Sequence, residues 1–207
     1  MIHGYHLILT MYGNWLPNDP RGCWSDFVGR WELVQFGRTR RTLLKKSLSE
    51  LTPQEVATRS AAQRSLLYRA VTLDDDQVKA IAAGFAEVVR KGGYTVWACA
   101  IMPQHTHLVI ARHTYKVEQI ATLLKGGATR QIVEEARHPI HTQLIQSGEL
   151  PSIWARGCWK SYLDNDEAII NAIRYVENNP IEEGKPRQHW TWVTPYQGLD
   201  PGWVTYH

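Results

Sequence analysis

Two histidines one residue apart, His105 and His107, are the first chemical signal in this chain of 207 residues. They open the segment HTHLVIAR, which reads as a strand, and strand side chains alternate with a period of two. Both imidazoles therefore share one face, while Thr106, Leu108 and Ile110 share the other. Two adjacent imidazoles make half of a divalent-metal site. The pair also has a plain reading, as two histidines at the start of an amphipathic strand, satisfied by water or backbone. The second signal is Tyr175 with Asn179, four apart on a helix and so on one side of it. Ile169, Ile173 and Val176 mark the core stripe of that helix. At about 100° per residue, Tyr175 lies roughly 120° from the stripe and Asn179 roughly 80°. A hydroxyl so placed can reach a site at the sheet surface, and the Asn179 amide oxygen suits a hard cation such as Mg²⁺. Its plain reading is a boundary tyrosine followed by a helix-ending asparagine.

The elements that position these residues follow from periodicity and punctuation. Residues 4–11, GYHLILTM, read as a buried strand. The loop GNWLPNDPRG follows, dense in Gly, Pro, Asn and Asp. LTPQEVATRS starts a helix, with Thr52 as N-cap, Pro53 at the first helical position and Glu55 three residues after the cap. RSLLYRAVTL ends in a short predicted strand. Residues 74–91 predict a helix with acidic residues first, basic residues last and Gly92-Gly93 as the stop. YTVWACAI (94–101) and HTHLVIAR (105–112) predict an antiparallel hairpin across MPQ. Residues 116–136 predict a helix weakened or broken at Gly126-Gly127, and 159–164 a short strand. Residues 166–179 predict a last helix, capped by Asn165 or Asp164 and ended by Pro180. This order predicts an α+β fold, an antiparallel sheet with helices packed on it near the ferredoxin-like plan. Residues 1–184 read as one domain with an insertion at 17–76, and 185–207 as an irregular tail.

Composition sets the outer bounds. Apolar residues make up 43% and charged residues 21%, as in an ordinary globular protein. The formal charge of +3 marks no global nucleic-acid partner, so any such partner must be argued from local charge. Three cysteines without a CxxC argue against a disulfide framework. The start MIHGYHLILTMYG shows no secretory pattern, and no run reaches the roughly 18 apolar residues of a membrane span. A soluble, cytoplasmic protein without membrane partners is expected. The nine tryptophans read as core rather than as platforms for bases.

Taken together, the two signals are more specific than either alone. MPQHTHLVI followed by RYVENNPIEEG resembles the HUH single-tyrosine transposases, the insertion-sequence transposase-like group in which U is a bulky apolar residue. The chain looks most like the REP-associated tyrosine transposases, whose pattern runs MPNHVHLL and then Y-I-x-x-N-P-V-x-x-G. The matching residues here are Met102 to Leu108, then Tyr175 to Ile181 and Gly184. YHLILTMYGNWLP and WARGCWKSYLDNDEAI are similar to the family's first strand and to its segment before the tyrosine helix. The resemblance covers roughly residues 4–16 and 77–184. Thr106 stands where the family has a bulky apolar residue, and 17–76 matches no family pattern.

The resemblance implies an HUH endonuclease fold with an inserted segment. It implies a divalent metal, Mg²⁺ or Mn²⁺, held by His105, His107 and Asn179, which acts as a Lewis acid on the scissile phosphate. It implies Tyr175 as catalytic nucleophile, leaving a 5′-phosphotyrosine link and a free 3′-hydroxyl. The expected substrate is single-stranded DNA beside a hairpin, processed in DNA transposition or at REP elements. One tyrosine gives one covalent end at a time, so two cleavages need a homodimer or successive events. For DNA contact, Arg38, Arg40, Arg41, Lys45 and Lys46 form a basic run that can track phosphates or be a solvated face. Lys125 and Arg130 stand on the helix after the histidine strand. Two other function classes fit the same residues: a catalytically silent sequence-specific DNA-binding protein, and a metal-dependent phosphodiesterase in which water attacks.

Overall fold

In the computed structural model the described residues are 1–16, 18–19, 31–37, 48–141, 148 and 150–199. They contain strand β1 (Gly4–Thr10), helix α1 (Trp31–Val34), helix α2 (Pro53–Arg64) and helix α3 (Asp75–Gly92). Strands β2 (Val96–Ile101) and β3 (His105–Ala111), helix α4 (Val117–Glu134), strand β4 (Trp159–Leu163) and helix α5 (Asp166–Glu182) complete them. The sheet order is β2-β3-β1-β4, and β1 pairs with β4 and β2 with β3 antiparallel. With α3 joining β1 to β2 and α4 joining β3 to β4, this is the split βαβ order of the ferredoxin-like plan. The α+β expectation holds.

The chain divides into two compact units. One comprises residues 1–9, 73–138 and 156–207, and the other residues 10–72 and 139–155. The first holds the sheet. Helix α3 begins where capping chemistry says it should. Asp74 accepts from the Gln77 amide while Gln77 reaches back to the Asp74 amide, and Gly93 closes α3 at φ 64°. α3 buries Ala80, Ile81, Phe85, Val88 and Val89 as one stripe. Each large side chain so buried contributes roughly 1.5–3 kcal/mol.

α4 runs unbroken through Gly126 and Gly127, where the sequence predicts weakening or a break. The reason is packing. A Cβ on Gly127 would stand 2.3 Å from Val88 Cγ2 and 3.0 Å from the Gly84 carbonyl oxygen. A Cβ on Gly84 would stand 2.7 Å from the Cα of Ala128. The glycines are where α3 and α4 touch backbone to backbone, and the burial around them outweighs the roughly 1 kcal/mol helix penalty of a glycine.

α5 lies across the other face of the sheet, against β2 and β3. Ala98, Ala100, Val109, Leu163, Ile169 and Val176 form the core between them. Asn165 is its N-cap, accepting from the Ala168 amide at 2.8 Å. Pro180 does not end α5. The helix continues to Glu182, and Gly184 at φ 70° turns the chain, with the Lys185 amide donating to the Pro180 carbonyl. Proline removes one donor inside the helix, and the buried Pro180 ring offsets that loss.

Residues 185–199 form no helix or strand and lie along the edge strand β2. Gln188 bonds both the amide and the carbonyl of Ile101, at 2.7 and 2.8 Å, and the Thr194 amide donates to the Val96 carbonyl. The open edge is thus covered. The tryptophans depart from the core expectation. Among the described residues only Trp154 is buried, while Trp15, Trp97, Trp159, Trp190 and Trp192 are half-buried.

The second unit contains α1 and α2. Thr52 and Glu55 make the expected capping box under Pro53. Leu16, Leu33 and Ala62 form a small core with Phe36 and Leu66 against it. Arg59 pairs with the fully buried carboxylate of Asp19 at 3.3 Å. The strand expected at the end of RSLLYRAVTL is absent. The Val71 amide donates to the Tyr12 carbonyl, but residues 69–74 form no ladder. The basic residues Arg38, Arg40, Arg41, Lys45 and Lys46 lie outside the described residues.

One buried position lets the stability argument be tested. Thr106 is fully buried on the face away from α5, and its hydroxyl has no hydrogen-bond partner. Valine has the same shape without the unsatisfied group. Thr106→Val is expected to raise stability by about 1 kcal/mol in urea unfolding. A loss of stability would mean that the hydroxyl has a role in the fold.

Candidate active site

β1 and β3 are neighbours in the sheet, and each brings histidine to the face under α5. On β3, His105, His107 and Val109 share parity, and Val109 packs in the α5 core. Thr106, Leu108 and Ile110 are fully buried on the opposite face. The alternation expected from HTH is therefore the alternation found. The His105 and His107 rings stand 4.7 Å apart between centroids, edge to face.

Tyr175 descends from α5 onto this pair. Its ring centroid is 5.4 Å from that of His107. One turn further along, Asn179 is buried, and its amide makes a side-chain hydrogen bond with Tyr175. Tyr175 itself keeps 43% exposure, so a large substrate can reach it. Burial of the phenol pushes its pKa above the ordinary tyrosine value, and the Glu182 carboxylate pushes the same way. The Asn179 hydrogen bond opposes them, and Glu183 adds a smaller upward push. The hydroxyl is thus held protonated at neutral pH.

A third histidine completes the cluster, one whose role sequence reasoning missed. His6 of β1 is buried, and its Nε2 lies 3.0 Å from His107 Nδ1. Its ring also contacts Tyr175 and Trp159, at 5.6 and 5.7 Å between centroids. A signal was present. His6 is the one ionisable group inside the otherwise apolar run HLIL, and a buried polar group needs partners.

Two histidines under α5, with an asparagine on the same helix one turn beyond Tyr175, are donor types that suit a hard or borderline divalent cation. The observation that bears on fit is Asn179. Its Oδ1 is buried and has no hydrogen-bond donor, an arrangement that costs free energy unless something positive reaches it. The donor set therefore fits such a cation. Among the described residues no group of three or more His, Cys, Asp or Glu is placed to hold a metal, so a cation here would take the amide oxygen as its third protein ligand.

The other basic candidates divide. The Lys125 ammonium donates to the Gly157 carbonyl, and burial lowers its pKa. Arg130 is exposed on α4. Among the described residues no helix is long and apolar enough to cross a membrane.

The family model described as "Transposase IS200 like" matches residues 65–179, more than half of the chain. No curated protein matches it. Two solved structures are similar. One is a REP-associated tyrosine transposase bound to a REP hairpin, with TM-score 0.46 and 11% identity, covering 88% of this chain and 68% of the other. The second is a protein of Deinococcus radiodurans R1 named as a candidate transposase, with TM-score 0.37 and 13% identity, covering 86% and 91%.

Proposed function

Because the chain belongs to the IS200-like transposase family, whose work is DNA transposition, we propose that it cleaves and rejoins single-stranded DNA through a covalent link to Tyr175. The observation that carries the proposal is the Tyr175 ring set against His107 with the Asn179 amide on its hydroxyl side. A tyrosine that is partly exposed, with its hydroxyl held by a hydrogen bond, suits a nucleophile that must meet a polymer.

In the proposed reaction the Tyr175 oxygen attacks phosphorus and loses its proton. The bond from phosphorus to the 3′-oxygen breaks, and that oxygen leaves as a 3′-hydroxyl after taking up a proton. The 5′-phosphotyrosine keeps the phosphodiester energy, so a 3′-hydroxyl can later reverse the step without ATP. His105, His107 and Asn179 would hold a divalent cation, Mg²⁺ or Mn²⁺, which when bound neutralises charge on the phosphate oxygens. Asn179 also orients the attacking hydroxyl through its hydrogen bond. The substrate expected from the sequence resemblance is a single strand beside a hairpin, and the cytoplasm is the expected compartment.

A strand labelled at its 3′ end tests the reading. With Mg²⁺ or Mn²⁺ the labelled fragment should run as a protein-bound band that resists denaturant. A fragment free of protein in every cleavage reaction would instead favour attack by water. Binding without any cleavage would favour the silent DNA-binding protein.

The pH profile gives a second test. Tyr175 is protonated at neutral pH, so the single-turnover rate should rise as pH rises towards the tyrosine pKa. Glu182 raises that pKa. Glu182→Gln removes the negative charge, lowers the pKa and should move the rising limb to lower pH. A limb that stays in place or moves to higher pH would separate the rate from Tyr175 ionisation.

A further inference from the structure

We propose that His6 is a positioning residue, which holds the His107 ring so that His107 offers Nε2, not Nδ1, to the cation. The inference rests on the metal reading of the proposed function and goes beyond it by assigning a residue outside the ligand set. His6 Nε2 lies 3.0 Å from His107 Nδ1, and the two rings lie 5.2 Å apart at an angle of 27°. Both residues are buried, with His6 at 9% and His107 at 3% exposure.

A neutral imidazole has one nitrogen with a hydrogen and one with a lone pair. A cation takes the lone pair, and the other nitrogen keeps its hydrogen and needs an acceptor. The contact with His6 occupies Nδ1. With Nε2 on the cation, Nδ1–H donates to His6 Nε2, and the tautomer of His107 is set. His6 is itself held firmly. Its strand pairs with β4 at Ser161, and the rings of Trp159 and Tyr175 both contact it edge to face. The same Tyr175 contact links the positioning residue to the nucleophile, so one side chain braces both.

The test measures Mn²⁺ binding to the full chain without DNA, by electron paramagnetic resonance of the free ion. His6→Phe keeps a ring in the site but no acceptor, and its Kd for Mn²⁺ should rise by about 10- to 100-fold. His6→Gln can place an amide oxygen where Nε2 stood and should recover most of that loss. A Kd unchanged in His6→Phe overturns the proposal, and so does a His6→Gln variant as weak as His6→Phe. The wild-type tautomer provides a check that needs no variant. With Mg²⁺ bound, long-range proton–nitrogen NMR should find the hydrogen of His107 on Nδ1, and a hydrogen on Nε2 overturns the proposal. His105→Ala separates the two levels of failure. If wild type and His105→Ala both fail to bind Mn²⁺, the metal reading falls and takes this inference with it. If His105→Ala loses binding while His6→Phe keeps it, only the role of His6 falls.

Discussion

Tyr175→Phe should stop DNA cleavage and remove the covalent adduct while leaving the protein folded and able to bind its strand. Loss of the attacking atom in a covalent mechanism typically costs about 10⁴-fold or more in rate. The fold should hardly notice, because Tyr175 is 43% exposed and its ring, which makes the contacts with His6 and His107, is retained. A change of under about 0.5 kcal/mol in stability is expected for a substitution of this kind. Single-turnover cleavage, anisotropy of a labelled strand and thermal unfolding together separate the three effects. A variant that still cuts, leaving a fragment with a free 5′-phosphate, would transfer the attack to water.

Gly127→Val should be the most damaging change away from the active site. Its first added carbon would stand 2.3 Å from Val88 Cγ2 and 3.0 Å from the Gly84 carbonyl oxygen. Helices α3 and α4 would have to separate. Overpacking in a closed core costs about 1–3 kcal/mol, and more when backbone must move. We expect about 3 kcal/mol or more, against a total stability typical of domains of roughly 5–15 kcal/mol. Gly126→Ala is the control. A Cβ there meets only Arg130 Nη1 at 3.7 Å, and alanine favours helix, so stability should stay level or rise by up to about 1 kcal/mol. Urea unfolding of the two variants gives the comparison. Equal stability would show that the helices can part without cost.

Gly126 and Gly127 also show where sequence reading stops. Propensity makes a glycine pair a break, and only the facing helix reveals that Gly127 is a contact. Pro180 misleads in the same way, since its buried ring holds the end of α5 in place. Caps were legible because their chemistry is local. Thr52 and Asn165 each bond within three residues of themselves. The alternation at HTH was legible for the same reason, because strand parity needs no distant partner. His6 was not, since its meaning depends on His107 across 101 positions of sequence. The pairing of residues 153–154 with residues 11–12 was equally hidden. It depends on bonds such as Tyr12 to Ile153 and on the bridge from Met11 to Trp154, which no local pattern announces.

The central claim concerns which atom becomes bonded to DNA, and peptide mapping of the trapped protein–DNA product reads that atom directly. After cleavage with Mn²⁺, nuclease trimming and proteolysis, the mass of one nucleotide remnant should sit on the peptide that contains Tyr175, joined through a 5′-phosphate. The same remnant on any other residue, or a product with no bonded peptide at all, would contradict it.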